Sequence, residues 1–138
     1  MPEFTAILET ALYVDDMDRA TAFYEDILQL VPLMKAQRLC AYNVNDANVL
    51  LLFVRGGTLA PVDTGNGIIP PHNGIGPLHM AFSCTHDMLG EWREHLESQG
   101  VEIESETRWK RGGTSMYFRD PDGNLLEIAA TPGLWPGF

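Results

Sequence analysis

Residues 116–130 read MYFRDPDGNLLEIAA, and the reading of this stretch decides the fold. Asp120 to Asn124 is turn chemistry, because Pro121 presets φ while Gly123 and Asn124 tolerate positive φ. Leu125 to Ala130 are apolar apart from Glu127, so they read as a strand leaving a hairpin whose first arm is SMYFR. A carboxylate inside such a strand either points to water or is held by a partner.

Working outward from the hairpin, EIESETRW reads as a further strand, and THDMLGEWREHLESQG as a helix ending on Gly100 as its C-cap. LHMAFSC before it is a strand. The same order occurs earlier in the chain. TAILETALYV is a strand, and DMDRATAFYEDIL is a helix with an Asp N-cap and a stripe of Met17, Ala20, Phe23, Tyr24, Ile27 and Leu28. VPLMKA, LCAYNV and NVLLLFV follow as strands. Between the two series, Arg55 to Pro77 holds six Gly and four Pro, which predicts a long loop or linker. Local matches support a duplication: ETALYVDDM aligns with HMAFSCTHDM, pairing Glu9 with His79, and DANVLLLF aligns with DGNLLEIA, pairing Leu51 with Glu127. The organisation is therefore a single domain of two βαβββ modules, about 4–54 and 78–130, with linker 55–77 and tail 131–138.

Strand alternation separates two faces. Leu8, Leu12 and Val14 share one face of the first strand, and Glu9, Ala11 and Tyr13 the other. Leu78, Met80, Phe82 and Cys84 oppose His79, Ala81 and Ser83, and Leu126 and Ile128 oppose Leu125, Glu127 and Ala129. The all-apolar faces are where the helices pack. The opposite faces set Glu9, His79 and Glu127 beside small residues, either as ligand-type groups around a cavity or as solvated carboxylates and a satisfied histidine.

The totals narrow the function. A formal net charge of −10 over 138 residues repels nucleic acid and anionic lipid, so neither is an expected partner. Cys40 and Cys84 lack CxxC spacing, which argues against a disulfide framework and a zinc–thiolate site. No apolar run approaches the length of a membrane span and MPEFTAILET has no signal-peptide pattern, so a cytoplasmic enzyme or binding protein is expected.

With ALYVDDMDRATAFYEDILQL opening the first module, GPLHMAF the second, and YFRDPDGNLLEI closing it, the chain resembles the vicinal oxygen chelate superfamily. That superfamily includes glyoxalases, extradiol dioxygenases, thiol transferases and bleomycin-resistance proteins. The resemblance implies an α+β fold in which the modules form a curved mixed sheet around a concave metal or ligand cleft. It also implies a homodimer and a small-molecule substrate. Carried over by position, the metal ligands are Glu9, His79 and Glu127. Leu51 occupies the fourth place, cannot coordinate, and is left to line the substrate. One imidazole and two carboxylates suit Mn²⁺, Fe²⁺ or Mg²⁺ better than Zn²⁺ or Ni²⁺.

Tyr117 falls where extradiol enzymes carry a substrate-bonding tyrosine, or it is a packed strand aromatic. His72, on the linker, is a candidate acid or base for catalysis, or a solvated loop histidine. Arg108, Lys110 and Arg111 either bind an anionic substrate or protect a sheet edge. Trp135 is placed at a dimer interface or over the site. Two classes remain. One is a metal-dependent enzyme acting on vicinal oxygens, with ring-cleaving dioxygenase chemistry first and glyoxalase-like lyase or isomerase or thiol transferase chemistry next. The other is a metal-free drug- or metabolite-sequestering protein of the bleomycin-resistance type.

Overall fold

In the computed structural model, which describes residues 1–138, the chain folds as two units, Met1–Gly76 and Pro77–Phe138. The first unit carries β1 (Glu9–Val14), α1 (Met17–Ala22) running on through a π-helical turn (Phe23–Ile27), β2 (Val31–Lys35), β3 (Leu39–Val44) and β4 (Asn48–Val54). The second carries β7 (His79–Cys84), α2 (Met88–Ser98), β8 (Ser105–Arg108), β9 (Thr114–Arg119) and β10 (Leu125–Ala130). The sheets have orders β1-β4-β3-β2 and β7-β10-β9-β8. In each, the first and last strands pair in parallel and the other neighbours antiparallel, so both sheets are mixed. The parallel pair needs a long crossover, which the helix and two intervening strands supply.

The repeat holds at the level of register. Ala11 stands opposite Leu51 in the first unit, and Ala81 opposite Glu127 in the second. Leu12, Val14, Leu50 and Leu52 are buried with Ala20, Phe23, Tyr24 and Tyr42 in the first core. Met116, Phe118, Leu126 and Ile128 are buried with Leu89 and Leu96 of α2 in the second. Full burial of each large apolar side chain contributes about 1.5–3 kcal/mol, so these alternating faces hold each unit together.

Asp16 caps α1 by accepting from the Arg19 N–H at 3.1 Å. The π turn changes the angular spacing, so Ile27 lies only half-buried although the helical stripe predicts it for the core; Met17, the first residue of α1, is half-buried too. Leu8, expected on the buried face of the first strand, is exposed because β1 starts at Glu9. At the end of α2, Gly100 takes φ +74°, while its N–H reaches Glu97 and that of Val101 reaches Leu96.

The linker is more ordered than its glycines and prolines suggest. It forms a small hairpin of β5 (Val62–Asp63) and β6 (Ile68–Ile69) and closes on itself through paired bonds between Thr58 and His72. Arg55 pairs with Asp15 and reaches the Gly74 carbonyl at 3.3 Å. A Cβ at Gly74 would stand 2.1 Å from the Tyr13 ring, so glycine is required for the linker to lie there.

The DPDGN turn fixes the second sheet. Asp120 Oδ1 accepts from the backbone of Asp122 and Asn124, and Asp120 Oδ2 from the Asn124 amide, each at 2.9 Å. The fully buried Asn124 in turn accepts from the Leu78 N–H at 2.9 Å. Its position clamps β10 beside β7, with the Leu125 N–H donating to the Leu78 carbonyl at 2.8 Å. The tail meets the β8–β9 turn where the Gly113 N–H donates to Gly133, while Trp135 and Phe138 remain exposed in the single chain.

Candidate metal centre and ligand cleft

The clamp at Asn124 pairs Leu125 with His79 and Ala81 with Glu127 across the parallel strands. His79 Nδ1 lies 2.8 Å from the carbonyl of Leu125, its register partner. A carbonyl only accepts, so Nδ1 carries hydrogen, and in the neutral ring the lone pair is on Nε2. Nε2 stands 3.4 Å from Glu127 Oε1. Two acceptors facing each other at this spacing are stabilised by a hydrogen or a cation between them. Donor atoms bound about 2.0–2.2 Å from one metal lie about 3.0–3.5 Å apart, so the spacing fits a shared divalent ion.

Glu127 is only 6% exposed, and burying a carboxylate costs several kcal/mol unless it is hydrogen-bonded or paired. Its Oε2 accepts from Ser115 Oγ at 2.7 Å, and Ser115 Oγ accepts from the Trp109 indole N–H at 2.8 Å. Tyr117 is Glu127's antiparallel register partner, and its ring centroid is 6.5 Å from that of His79. Within the second unit, strand pairing thus brings together His79, Glu127 and Tyr117.

In the first unit Glu9 is exposed at the start of β1, and Leu51 is half-buried on β4. Both line a cleft of about 660 Å³ with Phe53, Arg38, Ile69 and His72. Its walls are mainly apolar, and its size suits a small organic molecule. His72 is not loose on its loop: Nδ1 is 2.6 Å from Tyr13 Oη, and the ring sits edge-on to Phe53 at 4.6 Å. Nδ1 is therefore engaged, which leaves Nε2 as the ring's remaining polar atom. Arg108, Lys110 and Arg111 are exposed around the β8–β9 turn. Within one chain, no three His, Cys, Asp or Glu side chains are grouped to hold a metal ion.

Ser115, Trp109 and Tyr13 do not stand out in the sequence as functional residues. Ser115 offers the one usable signal. It lies two residues before Tyr117, on the same face of β9, and pairs with Ala129.

Two mixed four-stranded sheets, each closing its first strand against its last, with a histidine and a glutamate on those two strands in the second, define an α+β fold in which one βαβββ unit occurs twice. The chain belongs to the Glyoxalase/Bleomycin resistance protein/Dioxygenase superfamily, whose model matches residues 6–128. It is 32% identical over 118 residues to the metallothiol transferase FosB of Staphylococcus saprophyticus, covering 83% of this chain and 70% of that protein. A 53-residue match to the fosfomycin resistance protein FosX of Listeria innocua is 40% identical and spans 38% of this chain and 40% of that one. The solved structure of lactoylglutathione lyase from Agrobacterium tumefaciens superposes with a TM-score of 0.87 at 35% identity, covering 99% of this chain and 100% of that one. No helix is long and apolar enough to cross a membrane.

Proposed function

We propose that this chain is a divalent-metal-dependent enzyme acting on a small substrate with adjacent oxygens, by thiol-transfer or glyoxalase-like lyase chemistry. The observation that carries this reading is the pair of His79 Nε2 and Glu127 Oε1, 3.4 Å apart, each with its other polar atom already hydrogen-bonded. The two kinds of relative, a metallothiol transferase and a lactoylglutathione lyase, support the reaction class. Ring cleavage under oxygen is a second reading, favoured by the position of Tyr117 across from Glu127.

His79 and Glu127 would hold the metal, with Glu9 as the third ligand supplied by a second copy in a homodimer. Mn²⁺, Fe²⁺ and Mg²⁺ suit this set better than Zn²⁺ or Ni²⁺. When bound, the cation supplies Lewis acidity to the substrate's oxygens. Leu51, Phe53 and His72 line the same cleft as Glu9, so in a site shared between copies they would come with it from the second copy. Leu51 and Phe53 hold the substrate's apolar body and exclude water, and Tyr117 donates a hydrogen bond to a substrate oxygen. His72, its ring fixed by Tyr13, moves a proton at Nε2. Arg108, Lys110 and Arg111 attract an anionic group against the general negative field. The free thiols Cys40 and Cys84 suit a reducing cytoplasm.

The test is elemental analysis of protein purified without chelator or metal-binding tag, beside His79→Ala and Glu127→Ala. Near-stoichiometric Mn or Fe in the wild type, lost in both variants, is the expected result. Lactoylglutathione formation, thiol consumption with fosfomycin, and catechol cleavage under oxygen then separate the reaction types. Wild-type protein that takes up no metal on reconstitution would overturn the enzyme reading in favour of a sequestering protein.

A further inference from the structure

We infer that Trp109 and Ser115 are positioning residues that commit Glu127 to single-oxygen coordination through Oε1. This rests on the metal reading above and adds which atom binds and what holds it there.

The directions of the hydrogen bonds follow from donor chemistry. An indole N–H only donates, so at 2.8 Å Ser115 Oγ must be its acceptor. The serine's own hydrogen is then free to point to Glu127 Oε2 at 2.7 Å, a length typical of a charge-assisted bond. Ser115 is fully buried, so no water competes for either contact. Oε2 is thereby tied to β9 through Ser115, while Oε1 is the oxygen that stands 3.4 Å from His79 Nε2. Both ligands are held by the same device, an outer atom bonded to a fixed group: His79 by the Leu125 carbonyl and Glu127 by Ser115. A carboxylate held in this way gives the metal one oxygen and leaves more positions open for substrate.

The relay also has an outward end. Trp109 is 39% exposed although its N–H is engaged inside, so the indole reports on the buried carboxylate from the surface.

The experiment measures Mn²⁺ binding by calorimetry for wild type, Ser115→Ala, Ser115→Thr, Trp109→Phe and Glu127→Gln. Fluorescence is followed in a background where Trp92 and Trp135 are replaced by Phe. Loss of the relay is expected to weaken Mn²⁺ binding 10- to 100-fold in Ser115→Ala, the usual range for residues that orient metal ligands, and less in Trp109→Phe. Ser115→Thr, which keeps the hydroxyl, should recover most of the affinity. Trp109 emission should shift on Mn²⁺ addition and stay constant in the Glu127→Gln version of that background. Folded Ser115→Ala and Trp109→Phe that bind Mn²⁺ as tightly as wild type would overturn the inference while leaving the metal site standing. If Ser115→Ala does not fold, Trp109→Phe alone decides, since it keeps the ring and removes only the donor. A wild type that binds no Mn²⁺ would remove the metal reading and this inference with it.

Discussion

Glu127 and Glu25 show two ways of keeping a carboxylate off the solvent. Glu127 sits inside a sheet, answered by Ser115 on one oxygen and facing His79 with the other. Glu25 lies at the rim of the first core, where it accepts from Lys35 and from the hydroxyl of the buried Tyr42 at 2.9 Å. The Lys35 bond, followed by the Tyr42 bond, outweighs partial burial and holds the Glu25 carboxyl below its ordinary value of 4.5. Burial first, and then the same contact, push the Tyr42 phenol well above its ordinary value. For a carboxyl lowered in the folded state, the stabilisation is fully present above the unfolded value and is lost as pH falls through the folded one. Glu25→Gln should therefore have a lower Tm than wild type at pH 7, with the gap closing as pH falls below about 4. Paired thermal scans from pH 7 to pH 3 check this. A gap that stays constant with pH would show that Glu25 acts through packing alone.

At the scale of elements, the DPDGN turn does more than reverse the chain. Asn124 satisfies both the Leu78 N–H and Asp120 Oδ2, so it sets the register that brings His79 beside Glu127. Asn124→Ala leaves both groups without this partner inside the protein, at about 1–3 kcal/mol each. The expected result is a Tm lower by roughly 10 °C, together with weaker Mn²⁺ binding as the β7–β10 pairing loosens. Calorimetric melting and a Mn²⁺ titration measure both effects, and an unchanged Tm would sink the assignment. The order of elements was legible in the sequence because apolar periodicity, the Asp16 cap and the DPDGN turn are local signals. The places of His79 and Glu127 were legible because alternation puts each on a face. The π turn, the linker hairpin and the Trp109–Ser115 relay were not. The π turn and the hairpin are local but too short to leave a periodic pattern, whereas the relay depends on register: a one-residue slip of β9 would move Ser115 to the opposite face from Glu127.

At the scale of the whole molecule, the ligand-type residues are divided between the units. His79 and Glu127 belong to one and Glu9 to the other, and a single chain groups no three such side chains into a metal site. On the metal reading proposed above, His79 and Glu127 alone would hold a cation loosely, and a third ligand from a second copy would complete the usual protein set of an open catalytic site. Copies that each carry a net charge of −10 repel one another, so a cation shared across their contact would favour association. Mn²⁺ should therefore shift the chain toward a dimer in sedimentation. Mixing then tests the division of the site. Glu9→Ala and His79→Ala proteins each lack one ligand, but a heterodimer unites the intact Glu9 of one copy with the intact His79 and Glu127 of the other. Random exchange makes about half of the dimers hetero and gives each one complete site, so the mixture should recover roughly a quarter of wild-type high-affinity Mn²⁺ binding. The binding is read as metal retained through gel filtration, with each variant alone retaining little. Exchange verified by tagged chains but without recovered binding would show that the two copies do not share the centre, and Glu9 would lose its place in it.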